Sequence, residues 1–169
     1  TRRAEEVAET LDQMSGACRA LSGILLDALR SARSGSQGLA LRPQRVDVSA
    51  LLRAQHRRCR HRAEMVGVRV EVAAADSVVS ALDPELVVRV LDNLIDNALK
   101  VSPPGSLVRV ALGRFGGNVV ISVTDQGPGI GEADRARIFE LFVAGEGTPL
   151  EGGTGVGLAF CRRVAEAHG

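Results

Sequence analysis

Apolar residues in the first part of the chain recur in steps of four and three: Val7, Leu11, Met14, Cys18, Leu21, Leu25, Ala28 and Ala32. This heptad seam predicts a helix over residues 1–38 that seeks a partner helix, in a bundle or coiled coil. The pattern begins without a capping residue, so the chain is expected to start inside a longer protein. Ser34-Gly35-Ser36-Gln37-Gly38 ends the helix with turn chemistry, and residues 39–48 read as an extended linker through Pro43. The domain boundary is placed there, with the main domain at 49–169.

A second helix is predicted over about Ser49–Met65, Arg-rich on its outer side and stopped by Gly67. The alternation of Val68, Val70 and Val72 predicts a strand. Asp83-Pro84-Glu85 combines a capping carboxylate, a first-turn proline and an acid favoured by the helix dipole, and opens a helix to about Lys100. On it Val87, Val90, Leu91, Leu94 and Ala98 share one face, and Asn93, Asn97 and Lys100 share another. Residues 107–115 and 118–124 read as two strands joined by Gly116-Gly117. A short helical stretch through Arg137–Phe142, a Gly-rich polar segment 143–152 and a last helix opening at Gly153–Gly157 complete the pattern. Together these elements predict one mixed sheet with helices on one face, an α/β two-layer sandwich preceded by a long bundle-type helix.

Composition narrows the possibilities. At 169 residues the chain is one domain, or one domain with an appended helix, and its four Phe with no Trp or Tyr require an aliphatic core. A formal charge of +1 removes the electrostatic case for nucleic acid or an anionic membrane as partner. No apolar run approaches the ~20 residues that span a bilayer, and no signal-peptide pattern opens the chain. A cytoplasmic domain is expected, within a parent that could be membrane-anchored. Cys18, Cys59 and Cys161 have no metal-ligand or disulfide spacing and are expected to be reduced, mostly buried thiols. Lys100 is the only Lys, and its place three residues after Asn97 favours a phosphate-facing role.

Three motifs carry the candidate chemistry. Asn is unfavourable inside a helix, so Asn93 and Asn97 one turn apart point to function. A neutral amide oxygen is a hard ligand suited to Mg²⁺, which makes Asn97 the metal-ligand candidate. Asp125 follows a strand and precedes Gly127-Pro128-Gly129. A carboxylate held there can accept the exocyclic amine of adenine, although Asp before Gly is also common in plain turns. Gly153-Thr154-Gly155-Val156-Gly157-Leu158 exposes backbone amides at a helix N-terminus, where phosphate is favoured. It is neither a Rossmann fingerprint nor a P-loop, because its spacing is G-x-G-x-G and Gly-Lys-Ser/Thr is missing.

In this order the motifs resemble the catalytic ATP-binding domain of sensor histidine kinases, the Bergerat fold shared with gyrase, mismatch-repair and heat-shock chaperone ATPases. The likeness runs from about Leu82 to Gly169. Asn93–Lys100 is similar to the kinase N box, Asp125–Gly129 to the first glycine box, Phe139–Phe142 to the F box and Gly153–Gly157 to the second glycine box. The resemblance implies that Asn97 binds Mg²⁺, Lys100 contacts phosphate, Asp125 reads adenine and residues 143–152 form an ATP lid. The implied ATP-binding set is Asn93, Asn97, Lys100, Asp125, Gly127, Gly129, Ile130, Phe139, Phe142, Gly153, Thr154, Gly155, Val156, Gly157 and Leu158. The heptad helix and Leu39–Asp47 resemble the second dimerisation helix of such kinases and its linker.

Two departures from the family pattern are visible. The phosphoacceptor His belongs on a first dimerisation helix that this chain lacks, and none of His56, His61 and His168 fits that role. The family also continues beyond the position of Gly169 through further strands, so the chain reads as a fragment. Hydrolysing members of the superfamily carry a Glu one turn before the metal-binding Asn, where this chain has Asn93, whose amide is no general base. The implied function is phosphoryl transfer from ATP to a histidine supplied from outside, with a histidine-containing dimerisation domain and a response regulator as partners and a homodimeric parent. The alternatives are a Bergerat-fold ATPase, an anti-sigma-type serine kinase, or a degenerate nucleotide-binding scaffold without catalysis.

Overall fold

The computed structural model describes residues 39–74, 77–140 and 156–169. The heptad helix, Cys18, Phe142, residues 143–152 and the first three residues of the second glycine box lie outside the described residues. The chain divides into two units, one of residues 41–129 with His168, the other holding the remaining described residues.

The first unit is built on five strands and two long helices. Strand β1 (Gln44–Asp47) pairs antiparallel with β3 (Val79–Leu82) in a two-stranded sheet. Strand β2 (Arg69–Ala74) runs parallel to β4 (Leu107–Phe115), which pairs antiparallel with β5 (Asn118–Thr124). The sheet order is β2-β4-β5. Helices α1 (Val48–Met65) and α2 (Pro84–Val101) pack on this sheet and on each other. The α/β sandwich expected from the sequence is therefore present, but its strands form two sheets rather than one. Residues 44–47, expected as linker, are extended and hydrogen-bonded into β1. Their partner, β3, was not expected either.

Local chemistry explains the helix ends. Asp47 caps α1 by accepting from the Ala50 N–H at 3.1 Å. Gly67 ends it with φ +68, the Gly67 N–H bonding Glu64 O and the Val68 N–H bonding Ala63 O, a Schellman motif. Asp83 caps α2: Oδ1 accepts from the Leu86 N–H at 3.2 Å and Oδ2 from the Arg42 N–H at 2.9 Å. Gly116 and Gly117, at φ +57 and +86, turn β4 into β5 in the manner of a type I′ hairpin.

The core is aliphatic, as composition required. It joins Val48, Leu52, Cys59 and Ala63 of α1 to Leu91, Ile95, Ala98 and Leu99 of α2 and to Val108, Val110 and Leu112 of β4. The buried arc of α2 is rotated from the expected one. Leu86, Ile95 and Leu99 are buried, whereas Val87, Val90 and Leu94 are only half-buried. The helix meets α1 as well as the sheet, so its apolar stripe is aimed between the two. Phe115 stands at the hairpin with 82% of its surface exposed, outside the core.

In the second unit, α3 spans Glu132–Arg135 and α4 spans Gly157–His168. The short regular helix thus precedes the stretch expected to be helical, since residues 136–139 form turns. Helix α4 buries Ala159, Phe160, Cys161 and Val164 and opens at Gly157, within the expected Gly153–Gly157 start.

Cys59 and Cys161 are buried thiols. Burial pushes the Cys59 thiol up, partly opposed by the Arg62 guanidinium. A raised native value keeps Cys59 neutral where the unfolded thiol ionises, so the stability it contributes is complete below the ordinary thiol range of about 8.5 and is lost as pH rises through the native value. Chemical denaturation from about pH 8 to about pH 10 should therefore show a steeper fall in stability for the wild type than for Cys59→Ala. Equal slopes would mean that Cys59 does not carry the alkaline loss.

Candidate functional site

Helix α2 presents three kinds of side chain around its circumference. Leu91, Ile95, Ala98 and Leu99 enter the core. Asn97 and Lys100 are exposed, and Asn93 is half-buried. Asp92 and Asp96 turn toward α1, where Arg62 Nη2 lies 3.2 Å from Asp92 Oδ1 and Arg62 Nε lies 3.2 Å from Asp96 Oδ1. The amide face of α2 therefore reaches solvent without its neighbouring carboxylates.

The turn after β5 is held against the end of the same helix. Asp125 Oδ1 accepts from the Gly127 N–H at 2.9 Å, closing an Asx-type turn. Gln126 Oε1 accepts from the Leu107 N–H at 2.8 Å, which ties the turn to the start of β4. Gly127 is required for space, because a Cβ there would lie 2.7 Å from Val101 Cγ2 and 2.9 Å from Val101 O. Gly129 is required for conformation, with φ +76. Asp125 remains exposed, and Oδ2 has no protein partner among the described residues.

One unit thus brings together Asn93, Asn97, Lys100, Asp125, Gly127 and Gly129. Its donor set consists of amides, one ammonium and one carboxylate with a free oxygen, which fits a phosphate-bearing ligand with an amine and a hard cation. In the other unit Ile130 and Phe139 are exposed, at 47% and 38%, while Val156, Gly157 and Leu158 are half-buried. Gly157 opens α4, and Val156 at the N-cap makes no side-chain cap hydrogen bond. Phe142, Gly153, Thr154 and Gly155 lie outside the described residues.

A groove of about 260 Å³ lies elsewhere, lined by His56, Ala63, Val68 and Val70 with charged residues at its rim. It contains none of the motif residues. The three histidines do not join the site: His56 Nε2 is 3.0 Å from Val70 O, His61 is exposed, and His168 Nε2 accepts from the Asp83 N–H at 3.0 Å. Sequence reasoning missed Val101, Gln126 and Arg62, each of which acts by supporting a motif residue.

A family model described as histidine kinase-, DNA gyrase B- and HSP90-like ATPase matches residues 82–169. The chain is 34% identical over 154 residues to the adaptive-response sensory kinase SasA of Synechococcus sp. (strain JA-2-3B'a(2-13)), covering 89% of this chain and 40% of that protein. It is 37% identical over 125 residues to the sensor-like histidine kinase SenX3 of Mycobacterium tuberculosis (strain ATCC 25618 / H37Rv), covering 73% of this chain and 30% of the relative. The chain therefore spans less than half the length of these curated relatives. Among solved structures, full-length ShkA in complex with AMPPNP superposes with a TM-score of 0.72 at 29% identity, over 99% of this chain and 34% of ShkA.

The contact between Gly127 and Val101 makes the turn testable apart from any ligand. Gly127→Ala forces the turn off the helix end and should destabilise the domain by about 1–3 kcal/mol in urea unfolding, as overpacking does. Adding Val101→Ala removes the side-chain clash but leaves the carbonyl at 2.9 Å, so it should restore only part of the loss. Full restoration would show that the side chain alone sets the fit.

Proposed function

The chain belongs to the histidine kinase-, DNA gyrase B- and HSP90-like ATPase family, and on that premise we propose that it is the ATP-binding catalytic region of a sensor histidine kinase. Its reaction is transfer of the γ-phosphoryl group of ATP to a histidine outside this chain. The observation that carries this reading is the solvent face of α2, with Asn97 and Lys100 exposed and the helix ending against the Asp125 turn. A polar helix face and a fixed carboxylate at its end match the two ends of a nucleotide.

In this reading Asp125 Oδ2 accepts the exocyclic amine of adenine, while Oδ1 is occupied by the Gly127 N–H and holds the carboxylate in place. Asn97 is the Mg²⁺ ligand and Lys100 a phosphate contact; bound there, Mg²⁺ neutralises phosphate charge and orients the group to be transferred. Ile130, Phe139, Val156, Gly157 and Leu158 belong to the remainder of the nucleotide site by the likeness of their motifs. Phe142 and Gly153–Gly155 are assigned on the same ground.

Transfer is favoured over hydrolysis by what α2 lacks. Asn93 cannot take a proton from water, and Asp92 and Asp96, its neighbours on the helix, are paired with Arg62. Catalysis then rests on positioning and charge neutralisation. Residues 1–38 are assigned to a dimerisation helix and 49–169 to the catalytic domain, with 39–48 as a linker whose last five residues fold onto that domain as β1 and the start of α1. The partners that follow are a second copy of the parent chain, a dimerisation domain bearing the phosphoacceptor, and a response regulator. Among the described residues no helix is long and apolar enough to cross a membrane, and the reading places this region in the cytoplasm.

Calorimetric titration tests the ligand assignments. ATP should bind in preference to GTP, and Asp125→Ala should weaken ATP by about ten- to hundredfold, the worth of a hydrogen bond to a charged group, while abolishing the preference. Asn97→Ala should remove the Mg²⁺ dependence of ATP binding and leave the fold intact. Equal affinity of the wild type for ATP and GTP overturns the role of Asp125, and unchanged metal dependence overturns that of Asn97.

A transfer assay tests the reaction itself. The chain alone should not label itself from ATP carrying a radioactive γ-phosphate, because His56 and His168 are engaged within the fold and His61 lies on an Arg-rich helix. Adding a dimerisation domain that contains a phosphoacceptor His should yield acid-labile label on that domain. Rapid release of free phosphate by the chain would instead place it among the hydrolysing members.

A further inference from the structure

Asp92 and Asp96 lie one turn apart on α2, and each immediately precedes an amide of the proposed site, Asn93 and Asn97. Arg62 of α1 reaches both carboxylates at 3.2 Å, and the Gln55 amide donates to Asp92 Oδ1 as well. The cluster is largely shielded: the Arg62, Asp92 and Asp96 side chains are 35%, 27% and 26% exposed, and Gln55 is 2% exposed.

Its hydrogen bonding is incomplete. Arg62 Nε is within ion-pair distance of Asp96 but makes no well-directed hydrogen bond, and buried Gln55 Oε1 has no partner among the described residues. Shielded charges held this way are poor stabilisers, and apolar side chains of similar size would pack the two helices at least as well. The cluster calls for a role other than packing.

We infer that Arg62 is a positioning and charge-balancing residue of the nucleotide site. It draws two carboxylates to the α1 side of α2, so that the helix meeting a polyanion shows its amides and Lys100 rather than two acids. It also fixes the rotation of α2 about its axis, because one guanidinium can reach both carboxylates only when both face α1. This inference rests on the reading of the site as one for Mg-ATP. Without Arg62, the Asp92 and Asp96 charges beside Asn93 and Asn97 lose that guanidinium as their counter-charge, and they repel phosphate and compete with it for the cation.

The test measures Mg-ATP and adenosine binding to the whole 169-residue chain at low and at high salt. Arg62→Met should raise the Kd for Mg-ATP by about three- to tenfold at low salt and by less at high salt, as expected of a partly shielded charge effect. Adenosine, which carries no phosphate, should change by less than about twofold, since the charge effect acts on the phosphates. Arg62→Lys should recover most of the loss. Arg62→Met combined with Asp92→Asn and Asp96→Asn should bind Mg-ATP nearly as the wild type does, because the repelling charges are gone. If Arg62→Met weakens ATP and adenosine by one factor, or the triple variant binds no better than Arg62→Met, Arg62 is only a structural tie and the inference fails. If Arg62→Met does not fold, Asp92→Asn with Asp96→Asn decides: the freed Arg62 should tighten Mg-ATP but not adenosine, and an equal change in both overturns the inference. A wild type that binds neither ligand overturns the Mg-ATP reading itself, which separates that failure from failure of the Arg62 role.

Discussion

A single helix has to satisfy three environments, and the domain is organised by how its rotation is held. Helix α2 is apolar toward the sheet through Leu91, Ile95 and Leu99, ionic toward α1 through Asp92 and Asp96, and amide-bearing toward solvent at Asn97. A rotation of one residue, about 100°, would put a carboxylate where an amide belongs and an amide in the core. Packing alone restrains such a rotation softly, since aliphatic side chains of similar volume exchange at modest cost. Directional contacts restrain it firmly, and α2 has them at its N-cap, on its α1 side and at its C-terminal end.

The last of these contacts couples the helix to the glycine turn. The Gly127 backbone approaches Val101 more closely than any Cβ permits, while Gln126 anchors the same turn to the first residue of β4. Asp125 is therefore fixed from two sides, by the helix and by the sheet. Its own Oδ1 closes the turn, which in the proposed reading leaves Oδ2 for the adenine amine. A carboxylate that keeps half its capacity for its own loop has little freedom to reorganise, which is the condition for discriminating an amine donor from a carbonyl acceptor.

Much of this was legible in the sequence wherever the signal is local. The β4–β5 hairpin follows from alternation and Gly116-Gly117, and the start of α2 from Asp83-Pro84-Glu85, because a turn and a cap are each decided within a few residues. β1 and β3 were not legible. Each has four residues, too short for a period, and they are joined by pairing across some thirty-five positions. The face of α2 was read slightly rotated because periodicity locates a stripe without saying that α1 covers part of it. In the site, the helix amides Asn93 and Asn97 and the carboxylate of Asp125 stand out as residue types out of place. Val101, Gln126 and Arg62 are ordinary residues in ordinary settings, and their roles exist only in three dimensions.

The arrangement around Arg62 also bears on which chemistry the fold supports. A carboxylate beside a metal-binding amide can activate water, and α2 places one immediately before each of its two helix amides. What decides between water and a protein acceptor is then not whether acids are present but where they point. Asp92 and Asp96 lie about 100° around the helix from Asn93 and Asn97, on the side that α1 covers. Pairing with the Arg62 guanidinium holds both carboxylates on the α1 side of the helix, away from the amide face, which works against proton abstraction there. In the proposed reading the tie between α1 and α2 therefore joins the rotation of the helix to the choice of reaction, because the contacts that orient the amides are the same ones that hold the acids away from them.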